Sequence, residues 1–166
     1  MRASARAFPP PHRDDTGPGQ DPGAGMDDMT EQIEQDRLFL SLPAERENIG
    51  AVRAAVDRVA RGFGMREGAR SDLKTLVSEA CANVVLHAYA DDEADKPLEV
   101  EMARRGEAVE VVVRDHGQGM SARPGPKPSS LRLGLLLVGA MASSFQLRSA
   151  RGGGTELRAM VAFEAA

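Results

Sequence analysis

The sequence predicts an α+β fold, a two-layer α/β sandwich in which a largely antiparallel mixed sheet carries helices on one face. Two observations predict it. Apolar residues recur at helical spacing in three segments, whereas five other segments alternate apolar and polar residues as half-buried strands do. Four of the strand segments lie in close pairs, so short hairpin connections are expected. When helices pack on one face of a sheet, the apolar side chains of both are buried in one core.

The expected element order is βααββαββ. A first strand is predicted at Leu38–Leu42, where every second residue is leucine. Pro43 ends that strand and suits the first turn of a helix. This first helix is predicted from its apolar spacing over residues 49–63, and a second helix over Arg70–Tyr89.

Four more strands are predicted from alternating runs, at Leu98–Met102, Val109–Val113, Phe145–Ser149 and Thr155–Phe163. A short turn that contains glycine joins the two strands of each pair. Between the pairs, residues 121–130 contain three prolines and are expected to form an irregular loop. The apolar run Leu133–Ala142 is long enough for a short buried helix.

The chain has 166 residues, which is room for one domain of common size and a tail. Residues 1–30 hold five of the ten prolines and almost no apolar side chains. Such a segment buries too little surface to offset the entropy lost on ordering. We expect a disordered tail over residues 1–35, with order beginning near Arg37 in a single folded domain over residues 36–166.

Composition and charge exclude several classes of protein. The net charge is -4 and no basic cluster is longer than Arg104-Arg105, which disfavours nucleic-acid binding. No apolar run reaches the roughly 18 residues of a membrane helix, and residues 1–13 lack the apolar core of a signal peptide. The single cysteine, Cys81, excludes an intrachain disulfide and a cysteine-based zinc site. A soluble, cytoplasmic protein is therefore expected.

Three polar residues of the second predicted helix, Glu79, Asn83 and His87, are spaced four positions apart. Four residues turn a helix by about 400°, so each is offset by about 40° from the last and the three form one strip. A carboxylate, an amide and an imidazole beside a core can hold a hydrated magnesium ion and polarise a hydroxyl. The alternative is a solvated helix edge.

Asp115 ends a predicted strand and shares the parity of its apolar residues, so its side chain is expected to point towards the core. A carboxylate there needs hydrogen-bond donors, and the amino group of a ligand would be one. Gly117 and Gly119 follow and allow close approach of the backbone. A tight turn with a purely structural role is the alternative.

Two more glycine segments follow. In the segment 132–135, Gly134 and Leu135 come at the start of the third predicted helix, where free N–H groups suit a phosphate. Leucine-rich helix starts are nevertheless common in any core. Gly154 and Thr155 lead into the last strand and, taken alone, belong to an ordinary hairpin.

Taken in order, these motifs resemble those of the GHKL (Bergerat-fold) ATPase superfamily, namely its N box at residues 79–87 and its successive glycine boxes. The segment Val77–Tyr89 is most similar to the anti-sigma-factor serine/threonine-protein kinases of that superfamily. The resemblance spans residues 37–163. It implies a Bergerat-type ATP-binding fold with ATP and Mg²⁺ as cofactors.

The resemblance also implies roles for individual residues. Asn83 would bind magnesium, and Glu79 would be the general base on a substrate serine. Asp115 would accept a hydrogen bond from the adenine amino group, with Thr155 near the same base. Residues 120–133 would form the ATP lid, whose arginine is either Arg123 or Arg132. The other expected nucleotide-binding residues are His87, Gly117, Gly119, Gly134, Leu135 and Gly154.

The leading hypothesis is a serine-protein kinase that acts as an anti-sigma factor. It would sequester a sigma factor and phosphorylate an anti-anti-sigma partner of the STAS type. Two alternatives are a non-catalytic module that sequesters a partner with or without ATP, and an α+β domain whose motif matches are accidental. The family commonly forms homodimers, and an exposed edge strand at Leu38–Leu42 would be free to pair with another chain.

Overall fold

A computed structural model describes residues 30–34, 36–90, 96–119, 129–150 and 152–164 of the chain. Within these ranges the element order is ββααββαββ. The elements are β1 (Thr30–Glu34), β2 (Arg37–Pro43), α1 (Asn48–Gly62), α2 (Glu67–His87), β3 (Pro97–Arg105), β4 (Ala108–Asp115), α3 (Ser129–Met141), β5 (Ser144–Ser149) and β6 (Thr155–Ala162).

The six strands form one sheet in the order β1-β2-β3-β4-β6-β5, and every pair of neighbours in it is antiparallel. The three helices supply buried residues to the core on one face of this sheet. The predicted two-layer α+β sandwich is therefore confirmed. No helix in the described part of the chain is long and apolar enough to cross a membrane.

The core follows from the periodicities in the sequence. Alternate residues of β2, β3 and β4 face the helices, and residues of α1 and α2 at helical spacing meet them. Its largest fully buried side chains include Leu38, Leu40, Leu73, Leu76, Leu98 and Met102. Burial of apolar surface on this scale is the main favourable term in folding.

The expectation that order begins near Arg37 is wrong, because residues 30–34 form β1. This strand pairs with β2 along its whole length, and its Glu31 forms an ion pair with Arg58 of α1. The segment has only one large apolar residue, Ile33, which is itself half exposed. Pairing with β2 orders it, since a strand edge offers a row of unsatisfied main-chain groups.

A consequence is that β2 is not an edge strand. The predicted free edge at Leu38–Leu42 is occupied by β1, and β1 and β5 form the two edges of the described sheet. Residues 1–29, the greater part of the predicted tail, lie outside the described residues.

The third helix begins earlier than expected. It starts at Ser129, so residues 129 and 130, which were predicted as loop, are helical. The last proline of the preceding run is Pro128, and nothing after it prevents a helix. Gly134 therefore lies in the second turn of α3 and does not open it. The rest of the predicted loop, residues 121–128, lies outside the described residues.

The face of the sheet opposite the helices carries a network of ion pairs. Arg114 donates to Glu99 and Glu101 at 3.1 and 3.0 Å and to Glu156 at 2.9 Å. Glu156 also accepts from Arg148 at 2.6 Å. Burial by itself raises the pKa of Glu156, but the hydrogen bonds and charges of Arg148 and Arg114 outweigh it and lower that pKa to about 2.

We expect Glu156→Gln to lower the free energy of unfolding by up to about 3.5 kcal/mol at pH 7, since one pKa unit corresponds to about 1.4 kcal/mol. The folded-state pKa is about 2 against an ordinary value of 4.5, so this contribution is present above pH 4.5 and is lost as the pH falls towards 2. Urea unfolding at several pH values measures it. The two curves of stability against pH should converge in acid.

The matched control is Glu107→Gln. The Glu107 side chain is 86% exposed and its ion pair with Arg104 measures 3.6 Å. Exposed pairs contribute about 0–1 kcal/mol, so this variant should differ little from wild type at any pH. A loss in Glu156→Gln that stayed constant down to pH 2 would contradict the assigned pKa.

Candidate functional site

The predicted strip of Glu79, Asn83 and His87 lies on α2, and all three side chains are partly buried. The side of α2 that adjoins the strip is anchored in the core by buried residues, among them Leu76 and Val84. This anchoring fixes the rotation of the helix about its axis. The strip is consequently held at the border of the core.

The third helix meets the strip at Gly134. A Cβ added at this buried glycine would lie 3.1 Å from Glu79 Oε2 and 3.4 Å from Asn83 Nδ2. Any side chain at this position would therefore crowd the polar groups of the strip. The absence of a side chain allows α3 to pack closely on α2 and brings the first and third motifs of the sequence together.

Two polar atoms of the strip, Asn83 Nδ2 and His87 Nε2, are buried without a hydrogen-bond partner among the described residues. Buried polar groups in folded proteins nearly always have partners, so these atoms point to a polar ligand. With the Glu79 carboxylate and the Asn83 amide oxygen, the strip offers both donors and acceptors.

This donor set fits a hydrated Mg²⁺ ion. Magnesium keeps several waters and is bound by few protein oxygens together with the phosphates of a substrate. In the described part of the chain, no three His, Cys, Asp or Glu side chains cluster as a metal cage would require. The Asn83 amide oxygen, predicted to bind the ion, is one protein oxygen beside the Glu79 carboxylate, and a nucleotide would have to supply further ligands.

Asp115 ends β4 with its side chain on the core side, as its parity predicted, and is only 3% exposed. Its Oδ1 accepts hydrogen bonds from the backbone N–H groups of Gly117 at 3.0 Å and Thr155 at 3.1 Å. Burial raises the pKa of Asp115, and these bonds, with one from the Thr155 side chain, oppose the rise without cancelling it.

Glycines allow the backbone to close around Asp115. A Cβ at Gly154, where φ is +81°, would lie 2.1 Å from the Asp115 carbonyl oxygen. A Cβ at Gly117 would lie 2.0 Å from the Ala88 carbonyl oxygen, and one at Gly119 would lie 3.1 Å from that of Gly154. Real side chains do not fit at the first two positions. The second and fourth motifs therefore form one cluster.

The turn after β4 is also tied to α2. The Gln118 N–H donates to the carbonyl oxygen of Ala88 at 3.0 Å, and Ala88 directly follows His87, the last residue of α2. The strip on α2 and the Asp115 cluster consequently occupy neighbouring parts of the molecule. Sequence reasoning did not identify this contact, because Ala88 carries no chemical signal of its own.

Two predicted site residues are described only by their place in the backbone of α3. The side chains of Arg132 and Leu135 lie outside the described residues, as does the predicted lid segment 120–128, which includes Arg123. Residues 129–133, the remainder of the predicted lid, belong to α3.

Comparison with known proteins identifies the class to which this fold and site belong. A family profile of the histidine kinase-like ATPase domain matches residues 42–161. The chain is therefore a member of this ATPase domain family, and the resemblance to the GHKL superfamily is confirmed.

Several curated relatives are named serine-protein kinase RsbW. The chain is 39% identical over 82 residues to that of Bacillus velezensis and 34% identical over 82 residues to that of Bacillus subtilis. Each alignment covers 49% of this chain and 51% of the relative, so the chain spans about half the length of these relatives. With the protein of Oceanobacillus iheyensis it is 29% identical over 129 residues, which is 70% of this chain and 82% of the relative.

A solved structure supports the fold. The crystal structure of the RsbU and RsbW domains of a Mycobacterium tuberculosis protein matches with a TM-score of 0.60 at 24% identity. The match covers 76% of this chain and 31% of that chain.

We expect Gly117→Ala to lower the free energy of unfolding by about 2 kcal/mol. The added Cβ would overlap the Ala88 carbonyl oxygen, and neither atom can move without a shift of the backbone. Gly50→Ala is the control. Gly50 lies in α1 with no atom within 4 Å of an added Cβ, so alanine there should be neutral or stabilise by up to about 1 kcal/mol. Thermal unfolding followed by circular dichroism compares the two. Equal stability of Gly117→Ala and wild type would rule out the contact with Ala88.

Proposed function

We propose that this protein is an ATP-dependent serine/threonine-protein kinase that acts as an anti-sigma factor. It transfers a phosphoryl group from ATP to a serine of an anti-anti-sigma partner of the STAS type, and it sequesters a sigma factor. The observation that carries the proposal is the convergence of the α2 strip, Gly134 and the Asp115 cluster in one region of a histidine kinase-like ATPase domain. The names of the relatives support the kinase class.

Asp115 is proposed to recognise adenine. Its carboxylate accepts a hydrogen bond from the exocyclic amino group, and its burial makes such a bond electrostatically stronger than it would be in water. Thr155 lies beside the same carboxylate. Gly117, Gly119 and Gly154, which carry no side chains, form the backbone near this carboxylate and are proposed to border the flat base.

The strip on α2 is proposed to hold the phosphate end of the nucleotide. Asn83 binds Mg²⁺ through its amide oxygen, and the ion, when bound, neutralises charge on the phosphates. His87 donates from its unpartnered Nε2 to a phosphate oxygen. Gly134 brings α3 against the strip, and Arg132 and Leu135 on the same helix complete the proposed set.

Glu79 lies one helical turn before Asn83 and is proposed as the general base. It accepts the proton of the substrate serine hydroxyl while the serine oxygen forms a bond to the γ-phosphorus. The bond from that phosphorus to the β,γ-bridging oxygen breaks, and ADP leaves. Catalysis of this kind depends on positioning and charge neutralisation.

The first test is calorimetric titration with Mg-ATP. We expect Asp115→Asn to weaken binding at least tenfold, about 1.4 kcal/mol, because an amide presents an NH₂ group where the carboxylate accepts from adenine. The amide oxygen still accepts from Gly117 and Thr155, so the fold is kept. Glu107→Gln, at the exposed turn between β3 and β4, should bind as wild type does. No wild-type binding at millimolar Mg-ATP would refute the nucleotide site.

The second test is phosphoryl transfer to a purified STAS-type partner. We expect Glu79→Gln to reduce the transfer rate by about 10²–10⁴-fold, the usual contribution of a general base, while Mg-ATP affinity changes by less than about threefold. Full phosphorylation by Glu79→Gln would show that the assigned base is wrong.

The non-catalytic alternative makes a different prediction. A module that only sequesters its partner binds a sigma factor equally well with and without nucleotide and transfers no phosphate. Measuring the sigma-factor complex in both conditions beside the transfer assay therefore separates the two functions.

A further inference from the structure

Tyr89 joins three segments of the chain beside the proposed site. It lies two residues after the end of α2, and its side chain is buried. Its hydroxyl donates to the carbonyl oxygen of Pro97, the first residue of β3, and accepts from the N–H of His116 at 2.9 Å, directly after β4. One side chain thus links the ends of a helix and two strands.

The register of the sheet shows what this hydroxyl replaces. Leu98 lies opposite Asp115 in the β3–β4 pair, so the next rung would join Pro97 and His116. Pro97 has no N–H, so of the two bonds of such a rung only the one from the His116 N–H to the Pro97 carbonyl could form. The Tyr89 hydroxyl stands between them and satisfies both. Strand pairing therefore ends at Asp115, and the chain beyond it leaves the sheet towards α2.

The same end of α2 holds the two residues that follow His116. The Tyr89 Cδ1 atom lies 3.2 Å from the position a Cβ would take at Gly117, and the Gln118 N–H is bonded to Ala88. Gly117 and Gln118 of the turn thus contact Tyr89 and Ala88, the two residues that follow α2. The turn cannot shift relative to α2 while these contacts stand.

We infer that Tyr89 is a positioning residue that sets the spacing between the two halves of the nucleotide site, the phosphate half on α2 and the base half at Asp115. The inference rests on the proposed function. A ligand that spans both halves binds more tightly when the protein holds them at the correct separation in advance, because less ordering is then needed on binding. The Tyr89 hydroxyl bonds to Pro97 and His116, which flank the two halves, so its proposed effect is on their relative position.

The test compares two ligands on Tyr89→Phe. Adenosine reports on the base half alone, whereas Mg-ATP spans both halves, and the ratio of their affinities measures the gain from spanning. We expect adenosine affinity within about twofold of wild type and Mg-ATP affinity about tenfold weaker, because the ring and both halves remain while the link between β3, β4 and α2 is lost. Both titrations are run well below the unfolding temperature of the variant.

Thr75→Val is the matched control. It also removes a hydroxyl from α2, but among the described residues the Thr75 hydroxyl donates to the Ser71 carbonyl within the same helix, at 3.0 Å, and joins no other element. Both affinities should stay at the wild-type level. Unchanged Mg-ATP affinity in folded Tyr89→Phe, or equal losses for adenosine and Mg-ATP, would overturn the inference. Absence of Mg-ATP binding by wild type would instead refute the proposed function, and the inference with it.

A second measurement needs no substitution and covers the case in which Tyr89→Phe does not fold. The chain contains one tyrosine, so protein labelled with 3-fluorotyrosine gives a ¹⁹F NMR signal from Tyr89 alone. We expect Mg-ATP to shift this signal more than adenosine does, since only Mg-ATP engages both halves that Tyr89 joins. Equal shifts, or none, would overturn the inference.

Discussion

The burial of the Asp115 carboxylate is the constraint on which the candidate site depends. A buried carboxylate without donors would be strongly destabilising, and here the donors are backbone N–H groups from the turn after β4 and from the start of β6, 40 residues away. Both segments must approach within hydrogen-bond distance. Glycine at 154 permits the approach of β6, because a side chain there would collide with the backbone of Asp115, and glycine at 117 lets the turn lie against Ala88.

Contacts within the sheet and with the helices connect Asp115 to the rest of the site. Arg114, the neighbour of Asp115 on β4, points to the opposite face and joins β3, β4 and β6 through its carboxylate partners. On the helix side, the turn after Asp115 is held by the residues that follow α2, and α2 is held by α3 at Gly134. Asp115 and the polar strip are thereby joined by a continuous set of contacts in a member of the histidine kinase-like ATPase domain family.

Local sequence patterns predicted most of the secondary structure. They failed where a segment is ordered by pairing with a neighbouring strand. Alternation predicted five of the six strands, because their apolar residues face a core. β1 was not predicted, because it is ordered by its main-chain hydrogen bonds to β2 and not by an apolar pattern of its own. The start of α3 was placed late because prolines dominate the preceding segment, although the last of them, Pro128, directly precedes the helix.

The sequence by itself determined that Glu79, Asn83 and His87 share one helix face and that Asp115 points inwards, because helix and strand periods act over a few residues. Only the tertiary structure decided that Gly134 meets the strip, that Thr155 donates to Asp115, and that the Tyr89 hydroxyl stands between β3 and β4. These contacts depend on the register between segments far apart in the chain. No local pattern encodes that register, which is settled when the whole core packs.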